Sequence, residues 1–416
     1  MFDRTVAPQH QVISDVNFQH VTSQVLSAHT PFHYLISGRQ PVVKIEILFP
    51  RAGTWYEHKS GVALLSLKTL REGTGSFSSE QISEYLSGHG AFFDIHPGFD
   101  YASLSLHCLD KHVKDLLPLF MEIINEPEFV PSEVEFQKKL QKSQVQLQNK
   151  RNNIRASRKL RRELFGELHP YGRVMNEKDV EQVSAEDLRY FHSQQMQDVE
   201  VFVSGAPSES SFELIKSHFD HRAFSHYDQA VTCSKGHEAI LQPNKAEQSS
   251  IRLGKEVIKK GHKDYIPLLI TNHLLGGFFG SRLMKNIRED KGLTYGINSS
   301  LANLTHSSYW VLGAEVNERL TDQALSEIRK EIDLLREFDR EDELDVVKTH
   351  MIGSFQSDVN SPHQLMGKFK NVHLHGLDYD YYRRYFSCIN DFTCADVREM
   401  ASKYLAIHDI KEVVVK

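Results

Sequence analysis

Short apolar segments, some of them alternating with polar residues, are the strands that the chain predicts. They are residues 42–50, 101–108, 199–205, 249–257, 307–316 and 410–416. Alternation with a period of two places every second side chain on the same face, so these segments predict sheets with one buried face. Residues 112–124 and 320–338 instead repeat apolar positions every three or four residues, which is typical of amphipathic helices.

The order of these elements occurs twice along the chain. Sliding the sequence on itself by 204 residues superposes Leu64 on Leu268, Leu65 on Leu269, Leu70 on Leu274, Gly73 on Gly277 and Gly88 on Gly292. Each copy reads strand, helix, helix, alternating strand and helix, and closes on a further strand. Such a repeat indicates a duplicated unit. The sequence therefore predicts an α+β protein of two similar domains, each a mainly antiparallel sheet with helices packed on one face.

A polar, weakly patterned stretch at residues 226–248 is predicted to hold the connection between the domains. The first domain is expected to span residues 1–225 and the second 226–416. Residues 138–162 contain ten Lys or Arg and no Asp or Glu, and predict one long basic helix. Residues 327–345 are acidic instead. Each charge run is typical of a solvated helix face, and the basic run is also compatible with a wall that attracts acidic segments of a partner or substrate.

Composition narrows the function classes. The 416 residues are 40% hydrophobic and 25% charged, as in a globular protein, and the net charge of −6 argues against nucleic-acid binding by the whole molecule. Four cysteines without a CxxC pair argue against a zinc ribbon or a disulfide framework. The N-terminal residues lack the apolar core of a signal peptide, and no apolar stretch is long enough to span a bilayer. We therefore expect a cytoplasmic protein that does not bind a membrane.

Metal and nucleophile motifs are missing from the sequence. A catalytic zinc needs about three His, Glu, Asp or Cys ligands, and neither HExxH nor HxxEH occurs. The GxSxG motif and the phosphate-binding glycine motifs are also absent. His373 and His375 form a His-x-His pair without a third ligand in view, so they are interpreted as surface or core residues. An enzyme with an unusual metal site around this pair stays open as an alternative.

Arg288 and Tyr295 are the most promising pair for chemistry. The pattern predicts a helix that begins at Ser281 as its N-cap and ends at Gly292, with a strand directly after it. Arg288 then lies in the last helical turn and Tyr295 at the start of the strand, and the reversal can bring both to one edge. A guanidinium and a phenol can hold a peptide carbonyl or an oxyanion formed from it. The alternative is that Arg288 caps the helix and Tyr295 packs in the sheet.

Three motifs resemble the pitrilysin, insulinase and mitochondrial-processing-peptidase family of zinc metallopeptidases. Residues 281–295, SRLMKNIREDKGLTY, follow the family pattern SRLxxxIRExxGLxY almost without change. HPYGR at residues 169–173 precedes an apolar strand, as in the family. GVALLSLKTLREGT at residues 61–74 stands where the family has a segment like GLAHFLEHMLFKGT. The resemblance covers nearly the whole chain, including the duplication.

The resemblance also implies that the zinc site of the family is lost here. The first zinc histidine of the family falls on Leu64, the general-base glutamate on Leu67 and the second histidine on Lys68. The third ligand, a glutamate, falls near Gln146, in a stretch without acidic residues. By this comparison the chain has no metal or other cofactor of its own.

Small members of the family work as dimers, in which two chains form a clamshell around a chamber. In some of them one chain carries HxxEH and zinc, and the other contributes an Arg/Tyr pair, which Arg288 and Tyr295 match. The resemblance thus implies a zinc-less subunit that acts on peptides only together with an HxxEH-bearing partner and that can form homodimers when alone. The alternative is a scaffold without a catalytic contribution, as in family-related core subunits of respiratory complexes.

Overall fold

A computed structural model describes residues 18–27, 29–220 and 248–416. The predicted boundary between residues 225 and 226 lies outside the described residues. The described part contains ten strands: Thr22–Val25 (β1), Pro31–Ile36 (β2), Val42–Phe49 (β3), Phe92–Pro97 (β4), Ala102–Leu109 (β5), Glu200–Gly205 (β6), Gln248–Val257 (β7), Thr294–Asn303 (β8), Ser308–Asn317 (β9) and Lys411–Val415 (β10).

Fourteen α-helices accompany the strands in the same ranges. They are Val62–Thr69 (α1), Ser79–Gly88 (α2), Val113–Asn125 (α3), Pro131–Asn149 (α4), Asn152–Phe165 (α5), Glu177–Gln182 (α6), Ala185–Gln195 (α7), Glu209–Asp220 (α8), Tyr265–Asn272 (α9), Thr321–Leu334 (α10), Glu341–Ser357 (α11), Pro362–His373 (α12), Asp380–Asp391 (α13) and Cys394–Tyr404 (α14). Wider, π-type helical turns occupy His273–Gly277 and Met284–Asp290. No described helix is long and apolar enough to cross a bilayer.

The two sheets repeat one topology. The first sheet has the strand order β1-β2-β6-β3-β5-β4, and the second has β10-β7-β9-β8. All neighbours are antiparallel except β2 and β6. The second sheet therefore reproduces the β6-β3-β5-β4 part of the first, which confirms the duplicated α+β fold. β4 and β8 are the equivalent free edges of the two sheets.

Each sheet buries one face against the helices of its own domain, as predicted. Ile45 and Ile47 of β3 lie in the first core, and Ile251 and Leu253 of β7 lie in the second. Trp310 is fully buried in the second core. Alternation along the strands leaves a second face on each sheet.

Those second faces receive a helix from the other domain. Leu48 and Phe202 of the first sheet pack against Leu365, Met366 and Phe369 of α12, which belongs to the second half of the chain. In return, α5 of the first half covers the second sheet, where Ala156 and Leu160 meet Val413 and Val415. This exchange holds the two domains together, and the alternating pattern alone did not indicate it.

The prediction of one long basic helix was wrong. α4 ends at Asn149 and α5 begins at Asn152, because the second helix turns away to reach the sheet of the other domain. Arg158 donates hydrogen bonds back to Asn149 Oδ1 (2.9 Å), and Arg161 Nε donates to the carbonyl of Tyr171 (3.1 Å). Part of the positive charge of this run is thus used inside the fold.

Candidate functional site

The helix that carries Arg288 ends in an unusually wide turn. The Leu293 N–H donates to the carbonyl of Ile287 (2.9 Å), and the chain reverses at Gly292, where φ is +60°. Glycine adopts this left-handed conformation at little cost, so the helix can pass at once into β8. Ser281 directly precedes the first helical residue, as predicted, and its carbonyl accepts from the Lys285 N–H (3.0 Å). Its buried hydroxyl, however, has no hydrogen-bond partner among the described residues and does not cap the helix.

The acidic run is tied to this helix rather than solvated along its length. Glu331 on α10 accepts hydrogen bonds from Arg282 Nε (2.9 Å) and Asn286 Nδ2 (2.6 Å). Glu343 accepts from Arg282 Nη1 (3.0 Å), and Lys291 forms an ion pair with Glu327. The side chain of Glu331 is buried. Hydrogen bonds to charged groups are worth more than neutral ones, so these contacts fix the helix that presents Arg288.

The structure brings Arg288 and Tyr295 together. The guanidinium carbon of Arg288 lies 5.7 Å from the centroid of the Tyr295 ring and 4.6 Å from that of Phe279. Both aromatic side chains are on the surface, and Tyr295 is 92% exposed. Cation–π contacts of this geometry orient a guanidinium without consuming its N–H donors. Phe279 was not singled out from the sequence.

The polar groups of this pair are unused within the described residues. Neither the Arg288 guanidinium nor the Tyr295 hydroxyl makes a hydrogen bond or an ion pair there. The alternative roles, a cap for the helix end and a packing residue in the sheet, are therefore not what these side chains do. The Arg288 guanidinium and the Tyr295 hydroxyl lie at the free edge strand β8 and can together bind a carbonyl or a carboxylate.

The degenerate zinc motif lies on α1, and its polar side chain, unlike those of Arg288 and Tyr295, has hydrogen-bond partners within the fold. Leu64 and Lys68 share one half-exposed face of the helix, whereas Leu67 is only 1% exposed and belongs to the first core. Lys68 Nζ donates to Gln141 Oε1 (2.7 Å) and Gln144 Oε1 (3.1 Å). Burial lowers the pKa of Lys68.

Gln146, the predicted position of the degenerate third ligand, does not lie beside Lys68. Its side chain donates to Glu177 Oε2 (2.6 Å), away from Lys68. Gln141 and Gln144 are three residues apart on α4 and so lie on one helical face, whereas Gln146 lies on another. An ammonium held by two amide oxygens, with Leu64 at the other histidine position, does not fit a zinc ion, which needs His, Cys or carboxylate ligands.

The HPYGR motif contributes to the contact between the domains. Tyr171 is fully buried, and its hydroxyl donates to Asp100 and accepts from the His306 N–H (3.2 Å). Asp100 Oδ2 also accepts from the Thr305 N–H (2.9 Å). Trp55 stacks on His306 at a centroid distance of 4.0 Å. The turn between β8 and β9 is thereby held against the first domain, which places the edge that carries Tyr295.

His373 and His375 do not form a site together. His373 turns to Glu200 of the first domain. His375 lies near Lys260, and burial together with that positive charge lowers its pKa.

These features define a two-domain fold with an Arg/Tyr surface and a degenerate metal motif, and the comparisons assign it to a family. Residues 39–176 match the model of the insulinase family (peptidase family M16), and residues 182–351 match the model of the peptidase M16 inactive domain. The chain belongs to peptidase family M16, which confirms the resemblance seen in the sequence.

Curated relatives are distant and carry different descriptions. The "uncharacterized zinc protease YmxG" of Bacillus subtilis (strain 168) is 23% identical over 286 residues, 66% of this chain and 68% of that protein. The "non-peptidase homolog YmxG" of Helicobacter pylori (strain ATCC 700392 / 26695) is 20% identical over 408 residues, 94% of this chain and 93% of that protein.

Solved structures share the fold over nearly the whole chain. The peptidase M16 inactive domain of Pseudomonas fluorescens has a TM-score of 0.83 at 22% identity, covering 95% of this chain and 98% of that one. A protease of Helicobacter pylori has a TM-score of 0.78 at 19% identity, with 96% and 100% coverage. A chain of complex III2 from Candida albicans has a TM-score of 0.76 at 14% identity, with 95% coverage of each chain.

Proposed function

We propose that this chain is the zinc-less subunit of a heterodimeric M16 metallopeptidase and contributes Arg288 and Tyr295 to a shared active site. The observation that carries the proposal is the arrangement of exposed Phe279 and Tyr295 around a half-buried Arg288, whose guanidinium contacts both rings and has no acidic partner among the described residues. Two exposed rings around a guanidinium are poorly explained by stability, because surface contacts of this kind contribute little.

The chain by itself has no place for the family's metal. Leu64, Leu67 and Lys68 offer no ligand, and the Lys68 ammonium stands where a cation would have to bind. The partner is therefore an HxxEH-bearing family member that supplies the zinc and the general base. The description of the Helicobacter relative as a non-peptidase homolog agrees with this division of labour.

The substrate is an unstructured peptide bound in extended form. Such a peptide adds to a sheet edge beside the partner's zinc through backbone hydrogen bonds, which give affinity with little dependence on sequence. Tyr295 of this chain donates its hydroxyl proton in a hydrogen bond to the carbonyl oxygen on which negative charge develops. Arg288 grips a neighbouring carbonyl or carboxylate through its paired N–H groups, while Phe279 and Tyr295 hold the guanidinium plane.

Two chains, each half of a clamshell, enclose the chamber in this arrangement. The first test is an assay with a quenched fluorescent peptide that has no fixed structure. The chain alone, the HxxEH-bearing relative from the same source alone, and their equimolar mixture are compared. Activity in the mixture only is the expected result. The chain alone is expected to be inactive and, at high concentration, to form homodimers that sedimentation detects.

The alternative function is a scaffold. The fold shared with a chain of complex III2 shows that this architecture occurs in a large assembly, although a likeness at 14% identity concerns the fold alone. Equal activity of the relative alone and of the mixture would contradict the shared site and leave the scaffold.

A further inference from the structure

A cluster of two histidines and a glutamate lies where the first sheet meets α12, away from both sites described above. His33 is on β2, Glu200 on β6 and His373 at the end of α12. In the parallel pair of β2 and β6, His33 is opposite Phe202, so His33 and Glu200 project from the same face of the sheet. That face is the one that α12 covers.

The potential ligand atoms are close together. His33 Nε2 is 2.7 Å and His373 Nε2 is 2.5 Å from the same oxygen, Glu200 Oε1, and one ligand atom from each residue lies within 4.8 Å of the others. The side chains of His33 and Glu200 are buried, whereas that of His373 is 35% exposed. A path from solvent to the cluster therefore exists along His373.

We propose that His33, Glu200 and His373 bind a divalent transition-metal ion, with zinc as the expected ion. Two imidazoles and one carboxylate are a known three-ligand set for zinc, and they leave a fourth position for water. Zinc lies about 2.0–2.2 Å from such ligands, so the three side chains need to separate only slightly to admit it. Imidazole ligands also suit Co²⁺, Ni²⁺ and Cu²⁺, which makes these ions usable as probes.

The surroundings already orient the first histidine. Ser23 Oγ lies 2.7 Å from His33 Nδ1, and Phe202 stacks on the His33 ring at 4.9 Å. With a metal on Nε2, the Nδ1–H donates to Ser23, the type of outer hydrogen bond that fixes ligand histidines. Phe369 packs against both imidazoles, at 5.0 Å from His33 and 4.9 Å from His373. These rings shield the cluster from water on the side away from the opening.

Proton accounting is simple for this site. Each Nε2 now hydrogen-bonds to Glu200 Oε1 through its N–H. To ligate through Nε2, a neutral imidazole moves this proton to its Nδ1, whereas an imidazolium releases one proton to solvent. The ion then links β2 and β6 of the first domain to α12 of the second. It lies next to the buried ion pair of Lys370 and Glu46, which crosses the same interface. Its role is to hold the two domains in one relative orientation.

This inference departs from the sequence prediction that the chain holds no metal. It also differs from the alternative site around His373 and His375, because the partners of His373 are His33 and Glu200 and not His375. The competing explanation is a buried carboxylate that is satisfied by two imidazoles and binds no ion.

The test titrates the full-length chain, stripped with a chelator and dialysed, with Zn²⁺ in a calorimeter and with Co²⁺ in an absorption spectrometer. We expect one tight site per chain, the strong visible absorption of four-coordinate Co²⁺, and a Tm that rises with added Zn²⁺. His373→Gln and Glu200→Gln should abolish all three signals. Ser23→Ala should weaken affinity by roughly 10- to 100-fold.

Two controls assign the ion to this cluster. His375→Gln removes a neighbouring imidazole, and His112→Gln disrupts the surface group of His89, His112 and Asp115, whose ligand atoms also lie close together. Both variants should keep the calorimetric site. Absence of binding to the parent chain, or unchanged binding by His373→Gln, would overturn the proposal. His373 is partly exposed at the edge of the cluster, so His373→Gln is expected to fold. Its Tm without metal checks this.

Discussion

Each half of the chain presents one of the family motifs beside the edge strand of its sheet, and the two motifs have contrasting chemistry. In the first domain, α1 stands beside edge strand β4, and Lys68 is held by Gln141 and Gln144. In the second, the reversal after the Arg288 helix stands beside edge strand β8, and Arg288 and Tyr295 have no hydrogen-bonding partner among the described residues.

The difference is that Lys68 serves the packing of its own domain, whereas Arg288 and Tyr295 are available to bind another molecule. A polar group that already has internal partners has little left to offer a ligand, and Leu67 is part of the core. Exposed donors that a protein holds in a fixed orientation, without using them, suit recognition of an external acceptor. Internal satisfaction of polar groups is thus a better guide than motif similarity alone.

The largest expected effect comes from rebuilding the lost ligands. The triple variant L64H/K68H/Q144E should gain one zinc ion per chain beyond that of the parent, because residues 64 and 68 share a face of α1 that Gln144 approaches. Metal analysis after dialysis measures the gain. The matched variant L64H/K68H/Q146E should gain none, since residue 146 points to Glu177. Equal zinc in both would contradict the assignment of Gln144.

Removing the available pair should reduce the activity of the complex. Tyr295→Phe and Arg288→Ala are each expected to lower kcat of the mixture with the partner by about a hundredfold, the usual cost of one oxyanion donor. Stability should change little, because Tyr295 is exposed and neither side chain makes a hydrogen bond or an ion pair among the described residues. Tyr190→Phe, at another exposed tyrosine, and Lys68→Ala are the controls that should leave kcat unchanged. A kcat of the mixture that is unaffected by Arg288→Ala would contradict the shared active site.

Loosening the support of the Arg288 helix should have a smaller effect. Glu331→Gln places an amide N–H against Arg282 or Asn286 and should cost about 1–3 kcal/mol of unfolding free energy, measured in urea. Gln144→Ala, which removes one exposed acceptor of Lys68, should cost less than about 0.5 kcal/mol. Similar losses of unfolding free energy in both variants would contradict the expectation that the Arg288 helix is held more firmly than Lys68.

The smallest effect concerns the pH dependence of Lys68. Burial lowers its pKa below the ordinary value of 10.5, so the unfolded chain binds more protons in the alkaline range just below that value. Stability should therefore rise with pH there, and Lys68→Met should lack this increment. The difference in unfolding free energy between the two proteins, measured along a pH series, tests the sign. The unfolding free energy of the parent minus that of Lys68→Met should rise with pH, and a fall would contradict the prediction.

Sequence reasoning reached the Arg288 and Tyr295 pair because the geometry there is local. Gly292 reverses the chain within seven residues, so the side chains meet without help from distant segments. It missed Phe279, although that residue is close in sequence, because exposed aromatic residues carry no periodic signal. It placed the third degenerate ligand at Gln146, whereas Gln144 is the residue that contacts Lys68, because counting along a helix does not reveal which face packs on α1.

The sequence by itself determined the duplication, seven of the ten described strands (all but β1, β2 and β4), and the absence of an HxxEH motif. All of these depend on residue identity and on periods of two to four residues, which short-range geometry imposes. Tertiary structure decided the break between α4 and α5, the exchange of helices between the domains, and the meeting of His33, Glu200 and His373. Those features bring together residues more than a hundred positions apart, and only the packing of whole faces against each other selects such contacts.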